Sequence, residues 1–325
     1  MCAQGRQIRG GSRLRVVVTG GKGFIGRNLV HRLVREPDTE IVVLDNESTS
    51  SDARLPLSDR VHALHTDVRD LDALESAFES ATHVVHLAAL PSVPRSLEDP
   101  FSTHHVNATG TLNVLEAARR THVEYVALAS SSSVYGSNTV RSKGPDDWVS
   151  PMSPYAASKL ALEAYASAYS ASFGVRTQVL RFFNVYGPGQ LANHPYAAVI
   201  PTFIVSAMKR GHVVVHGDGE QSRDFTYVGT VCEAILRTLQ NKVETGRPLS
   251  LGHGKPQSIN ALISTLQSVL GRPLQITSGP TRASDVRNSS ADPSDFTAYF
   301  PDIGPVNLAD GLTETVSWFR AQESC

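Results

Sequence analysis

Cysteine is scarce in this chain of 325 residues, occurring only as Cys2, Cys232 and Cys325. Three thiols, odd in number and without metal-ligand spacing, argue against a disulfide framework or a zinc site and for reduced thiols in a cytoplasmic setting. An excess of one charge is also missing, since 30 Lys and Arg residues face 31 Asp and Glu residues. No broad field therefore recruits nucleic acid or a membrane surface, and a charged ligand must be met locally. Long apolar runs are absent as well. The start "MCAQGRQIRGGSRLR" has the basic character of a signal peptide, but the following "VVV" meets glycines too soon for an apolar core or a spanning helix. Residues 1–13 are read as a disordered tail. No repeat or low-complexity tract interrupts the rest.

What is present is a hydrophobic fraction of 41%, enough to fill a sizeable core. From Leu14 onward, short apolar runs alternate with helix-period segments, which predicts an α/β fold of Rossmann type with a doubly wound parallel sheet. Strands are expected at 14–20, 40–45, 61–67, 81–89, 124–131 and 176–187. The Ala-rich stretch from Pro154 to Phe173 reads as a helix with Ser153 as its N-cap and Gly174 as its stop. A further helix is expected near 102–119. After Gly187 the alternation weakens into a smaller, discontinuous region with helices near 201–210, 229–240 and 258–270. Residues 14–187 are thus read as a nucleotide-binding domain to which 229–257 returns, and 188–325 mainly as a substrate-binding region. The helix at 258–270 is also expected to return to the main sheet.

The first strand ends in "TGGKGFIG", with Gly20, Gly23 and Gly26 at the mouth of a helix. This spacing allows a tight turn, a close approach of pyrophosphate to backbone, and close helix–strand packing. The second strand ends at Asp45, where a carboxylate accepts both ribose hydroxyls of adenosine and repels a 2′-phosphate, favouring NAD over NADP. Asp67 ends the third strand and either reaches adenine or caps the helix after it, two roles that are compatible. Lys22, inside the glycine loop, receives no role.

"SPYAASK" sets Tyr155 and Lys159 on one helix face at i and i+4. Together with the glycine loop and the serine-ended strand "ALASSSSVYGS", this resembles the short-chain dehydrogenase/reductase superfamily, in which such a tyrosine is the general base and the lysine lowers its pKa. The segments "VVHLAALPSVPRSLEDP", "VNATGTLNVLEAA", "RFFNVYGPGQ" and "HGDGEQSRDFTYV" are similar to its extended branch, which acts on nucleotide-sugars, and "PSVPRS", "PYAAVIP" and "ASDVRNSSAD" look most like UDP-N-acetylglucosamine and UDP-glucose 4-epimerases. The resemblance runs from about Leu14 to the end of the chain. It implies NAD as cofactor, a UDP-sugar as substrate and a homodimer through the helices at 154–173 and 102–119. It extends the NAD site to Phe24, Ile25, Asn46, Ser48, Val68, Leu87, Ala88 and Ala89, with Tyr155 and Lys159 at its nicotinamide end.

Counting along that pattern, Ser131 is the hydroxyl that meets the sugar 4-oxygen. Ser132 and Ser133 stand where sugar 4,6-dehydratases carry an Asp-Glu pair. Two hydroxyls cannot protonate a leaving hydroxyl and remove a C5 proton, so loss of water is disfavoured. Of the remaining serines, Ser130 is read as a strand-end or turn cap. Arg223 and Arg282 match positions that clamp the diphosphate, Asn184 one that meets phosphate or sugar, and Asp285 one that holds the uridine ribose or else pairs with Arg287. Ser92, Arg95, Ser132 and Val199 line the sugar pocket in this reading, and the small Ser289 leaves room for an N-acetyl group at C2. Gly229 departs from the pattern, standing where an aspartate is usual. The activity implied is inversion at C4 through a transient 4-keto sugar. UDP-glucuronate epimerisation, dehydration and a non-catalytic NAD sensor remain as alternatives.

Overall fold

The computed structural model describes residues 14–49, 54–192, 196–280 and 286–323. The expected tail at 1–13, Cys2, Cys325, Arg282 and Asp285 lie outside the described residues.

The chain opens with β1 (Leu14–Thr19), α1 (Phe24–Leu33), β2 (Thr39–Asp45), β3 (Val61–His65), α2 (Leu71–Phe78) and β4 (His83–His86). It continues through α3 (Val93–Glu98), α4 (Pro100–His104), α5 (Gly110–Arg120), β5 (Tyr125–Ser131), α6 (Pro154–Phe173) and β6 (Thr177–Phe182). After the short β7 (Val185–Tyr186) come α7 (Val199–Arg210), β8 (His212–His216), β9 (Ser222–Arg223), β10 (Thr226–Tyr227) and α8 (Val228–Gln240). The last elements are β11 (Leu249–Leu251), β12 (Gln257–Ser258), α9 (Ile259–Leu270), β13 (Gln275–Gly279), β14 (Asn288–Ser289), α10 (Ser294–Tyr299) and α11 (Leu308–Glu323).

Seven parallel strands among the described residues form one sheet in the order β11-β6-β5-β4-β1-β2-β3. The order reverses between β1 and β4, and a crevice at such a reversal is where open α/β sheets bind ligands. Alternation along each strand divides the core into two layers. Val16, Val18, Ile41 and Val43 pack under α1 and α8, while Val17, Val42, Leu44 and Val84 pack under α2, α5 and α6. Burial on both faces explains why the strands read as continuous apolar runs.

The helix at 154–173 forms as its sequence predicts: Ser153 Oγ accepts the Ala156 N–H at 3.2 Å, and Gly174 ends the helix at φ 69°. Its buried stripe, Ala156, Lys159, Leu162, Glu163 and Ala166, carries two charged residues into the protein. The helix expected near 102–119 forms, with one irregular turn inside it. A π-helical turn at His105–Thr109 joins α4 to α5, and within it the Asn107 side chain bonds the backbone of Leu90. The helix expected at 258–270 also differs. The buried side chains of α9 join α7, β8 and α11 in a third core around Ile204, Val213, Leu262, Leu266 and Val316 rather than the main sheet. The sheet gains β11, which pairs with β6 and was not among the expected strands.

Candidate active site

The carboxyl ends of β1, β2 and β4 meet at the reversal in strand order. Gly20, at φ 68°, follows β1 so closely to β4 that a Cβ there would lie 2.6 Å from the Ala88 nitrogen. A Cβ on Gly26 would strike the carbonyl of Gly20, so α1 rests directly on the turn. Gly23 caps α1 without a side-chain bond, and the first turn holds no acidic residue. The amides there are oriented for an anion, and the neighbouring backbone is bare, so these residues fit a dinucleotide pyrophosphate. Phe24 and Ile25 begin α1 and pack on the first core layer, while Leu87, Ala88 and Ala89 follow β4 beside this turn.

Asp45 ends β2 and is buried. Its two carboxylate oxygens accept the backbone N–H groups of Lys22 at 2.9 Å and Glu47 at 2.8 Å. The Lys22 ammonium, unassigned in the sequence, forms an ion pair with Glu47. Asn46 donates to Asp67 at 2.9 Å, and its own side-chain oxygen accepts the Ser48 N–H at 3.1 Å. Asp67 is held by the Arg69 guanidinium through two bonds of 2.9 and 2.7 Å, and that hydrogen bonding keeps its carboxyl well below the usual range. It does not cap α2: the cap is Asp70, whose carboxylate accepts the Ala73 N–H at 3.0 Å. The Val68 side chain is buried against Gly110.

The expected catalytic residues Ser131, Tyr155 and Lys159 lie at the end of β5 and the start of α6. Ser131 Oγ accepts the Ser133 N–H at 3.2 Å, which caps a short 3₁₀ turn at Ser132–Tyr135. The Ser131 side chain is near enough to the Tyr155 hydroxyl to act on its ionisation. Desolvation raises the Tyr155 pKa, and Ser131 opposes that rise by favouring the phenolate. Lys159 is buried and donates to the Ala129 carbonyl at 2.8 Å. Desolvation lowers its pKa to about 8, with the charge of Glu163 acting in the opposite sense. Ser133 Oγ is buried with no hydrogen-bond partner among the described residues.

Ser130 is not the cap its position suggests. Its hydroxyl donates to Glu163 at 2.5 Å, and Glu163 also receives two bonds from Arg181, at 2.9 and 2.7 Å. Sequence reasoning missed this buried ion pair. The available signals are an acid four residues after Lys159 in an Ala-rich helix and an arginine inside a strand. It missed Asn107 as well, whose amide bonds Leu90 and the Ser158 hydroxyl, tying the loop after β4 to α6.

Behind β1 and β4 lies a fully buried histidine. The Thr111 hydroxyl gives its proton to the Asn107 carbonyl at 2.6 Å, so it accepts from His86 Nε2 at 3.0 Å, and His86 Nδ1 accepts from Thr19 at 2.8 Å. His86 is therefore neutral, its pKa lowered to about 3 by burial and by the nearby Lys159 charge. In acid the unfolded imidazole binds a proton from pH 6.5 downward, whereas the folded one refuses it until about pH 3. Stability thus falls as pH drops through that window, by on the order of 4 kcal/mol from this group. Urea midpoints measured across the range should decline less steeply in His86→Gln, and equal slopes would remove His86 as the source.

Ser92, Asn184, Val199 and Arg223 line one cavity of about 540 Å³ between the sheet and the third core. Ser92 stands at φ 101° and caps α3. The Arg95 guanidinium lies 5.1 Å from the ring centre of Tyr196, another lining residue. Asn184, at φ 36°, donates to the Asp224 carbonyl at 3.5 Å. Ser289 pairs in parallel register with Arg223, so both side chains leave the same face. The buried Asp224 fastens this corner, accepting N–H groups from Gly254 at 2.8 Å and Ala291 at 3.1 Å. Arg287 pairs with Asp218 at 2.9 Å. α8 starts after Tyr227, whose side chain makes no cap bond, and Gly229 is the second residue inside the helix.

The family model described as "NAD dependent epimerase/dehydratase family" matches residues 16–252. A putative UDP-glucose 4-epimerase of Methanocaldococcus jannaschii is 31% identical over 94% of this chain and 98% of its own length. Among solved structures, the UDP-N-acetylglucosamine 4-epimerase of Methanobrevibacter ruminantium M1, in complex with UDP-N-acetylmuramic acid, superposes with a TM-score of 0.90. It is 34% identical, over 95% of this chain and 99% of that one. An NAD-dependent NDP-hexosamine 5,6-dehydratase of tunicamycin biosynthesis superposes at 0.85 with 31% identity, over 95% and 98% of the two chains.

Proposed function

Because this chain belongs to the NAD dependent epimerase/dehydratase family, we propose that it is a UDP-sugar 4-epimerase acting on UDP-N-acetylglucosamine or UDP-glucose. It is an enzyme, and its cofactor is NAD. The observation that carries the finer reading is the polar end of β5. Ser131 acts there on the ionisation of Tyr155, and the positions after Ser131 are hydroxyls without a carboxylate. Glu163, the carboxylate beside Lys159, already accepts from both Ser130 and Arg181 and is not available as an acid. Dehydration therefore lacks its proton donor.

In this reading Gly20, Gly23, Gly26 and Asp45 hold the dinucleotide at one end and Lys159 at the other. NAD, when bound, supplies a two-electron acceptor that later returns the same electrons to the sugar. Tyr155 Oη takes the proton of the 4-hydroxyl and gives it back, Ser131 Oγ orients that oxygen, and the Lys159 ammonium favours the phenolate. Arg223 meets the diphosphate, and Ser289 on the same face leaves space at C2. Residues 14–187 with 229–257 serve the cofactor, and the remainder serves the UDP-sugar. A homodimer through α4, α5 and α6 is supported by the exposed Phe101 and Phe173. A cytoplasmic setting is supported by the low cysteine content.

The deciding experiment incubates the purified protein with UDP-glucose, UDP-N-acetylglucosamine and UDP-glucuronate and follows products by NMR and mass. An isobaric product inverted at C4 is expected from at least one of the first two. A product lighter by one water or one carbon dioxide would replace epimerisation with dehydration or decarboxylation. Inertness toward all three with NAD bound would favour a sensor.

A further inference from the structure

The adenosine end of the site contains a contradiction in charge. Sites that choose NAD place a carboxylate at the ribose, and sites that choose NADP place a cation there. This chain carries both in one small network, in which Asp45 bonds the backbone of Lys22 and Glu47 and the Lys22 ammonium pairs with Glu47. Lys22 donates its backbone N–H to one Asp45 oxygen at 2.9 Å, Glu47 donates to the other at 2.8 Å, and the two side chains then pair with each other.

We propose that Glu47 is a residue determining dinucleotide choice: by holding the Lys22 ammonium, it withholds the cation that would otherwise receive a 2′-phosphate. The proposal rests on the reading that Asp45 takes the adenosine ribose. Three features support it. Glu47 is in the left-handed region at φ 57°, an unfavourable place for a residue with a side chain, and the bond from its N–H to Asp45 keeps it there. A pair this exposed, with 22% and 33% of its side chains accessible, contributes too little to stability to explain that conformation. The other nearby cation, Arg69, is committed in the same way by two bonds to Asp67. Lys22 and Arg69 are thus each neutralised by a carboxylate, and a 2′-phosphate would have to displace Glu47 and then lie beside both Glu47 and Asp45.

The test uses the holoenzyme. Protein is incubated with equal, excess isotope-labelled NAD⁺ and NADP⁺ until labelled NAD⁺ has replaced half of the resident nucleotide, then desalted, denatured and analysed for bound nucleotides by mass. Wild type is expected to hold almost no NADP relative to labelled NAD. Glu47→Gln should raise that ratio roughly tenfold, and adding Lys22→Met to Glu47→Gln should return it to the wild-type level. An unchanged ratio in Glu47→Gln, or a raised ratio that persists in the double variant, overturns the proposal. Asp45→Asn separates the two layers of the argument. A rise there without one in Glu47→Gln refutes the proposal alone, while no rise in Asp45→Asn refutes the ribose reading beneath it.

Discussion

Tyr155→Phe should reduce UDP-hexose turnover by roughly a thousandfold or more, the loss expected when a positioned general base is removed, while NAD stays bound. The substitution deletes one oxygen and leaves the ring, so α6 and its Ser153 cap persist. What disappears is the atom proposed to receive the 4-hydroxyl proton. No other group at the β5 end can take it: Ser131 is a hydroxyl without a base of its own, and Lys159 already donates to the Ala129 carbonyl. Ser131→Ala should be milder, because it removes the group that orients the sugar oxygen and favours the phenolate but leaves the base. The check compares turnover with NAD released on denaturation and with far-UV circular dichroism. Turnover within about tenfold of wild type in Tyr155→Phe, with NAD and fold intact, would sink the assigned chemistry.

Much of this site is readable from sequence because it depends on local spacing. Gly20, Gly23 and Gly26 fall in one turn, Tyr155 and Lys159 share a helix face, and Asp45 marks the end of a strand whose burial writes an apolar run. Where the sequence misleads, a distant partner decides. Ser130 looks like a turn serine until Glu163, 33 positions later, is placed beside it. The helix through 102–119 is legible, but its π-helical turn is not, and there Asn107 bonds Leu90 on the neighbouring loop. The three residues of β11 form a strand only because β6 supplies an edge. Asp67 and Asp70 both suit a cap, and the choice follows from Arg69 engaging the first of them. Lys22 had no legible role because its partner depends on the left-handed turn at Glu47.

The largest effect on stability is expected at the Glu163–Arg181 pair. Its side chains are only 6% and 5% exposed, so each charge was removed from water in exchange for the other. Arg181→Met leaves the Glu163 carboxylate buried with Ser130 as its remaining donor, and roughly 3–5 kcal/mol should be lost. Arg181 also donates to Tyr135 Oη at 2.9 Å and to the Pro145 carbonyl at 3.2 Å, so the turn after Ser131 loosens as well. Replacing both partners, as Glu163→Leu with Arg181→Met, removes the stranded charge and should recover much of the loss. Urea midpoints of the two singles and the double decide the matter. Full recovery would mean that the charges serve placement of the reacting strand more than stability. A double as unstable as Arg181→Met would instead make the hydrogen bonds of Arg181 to the turn, and not the ion pair, the main contribution.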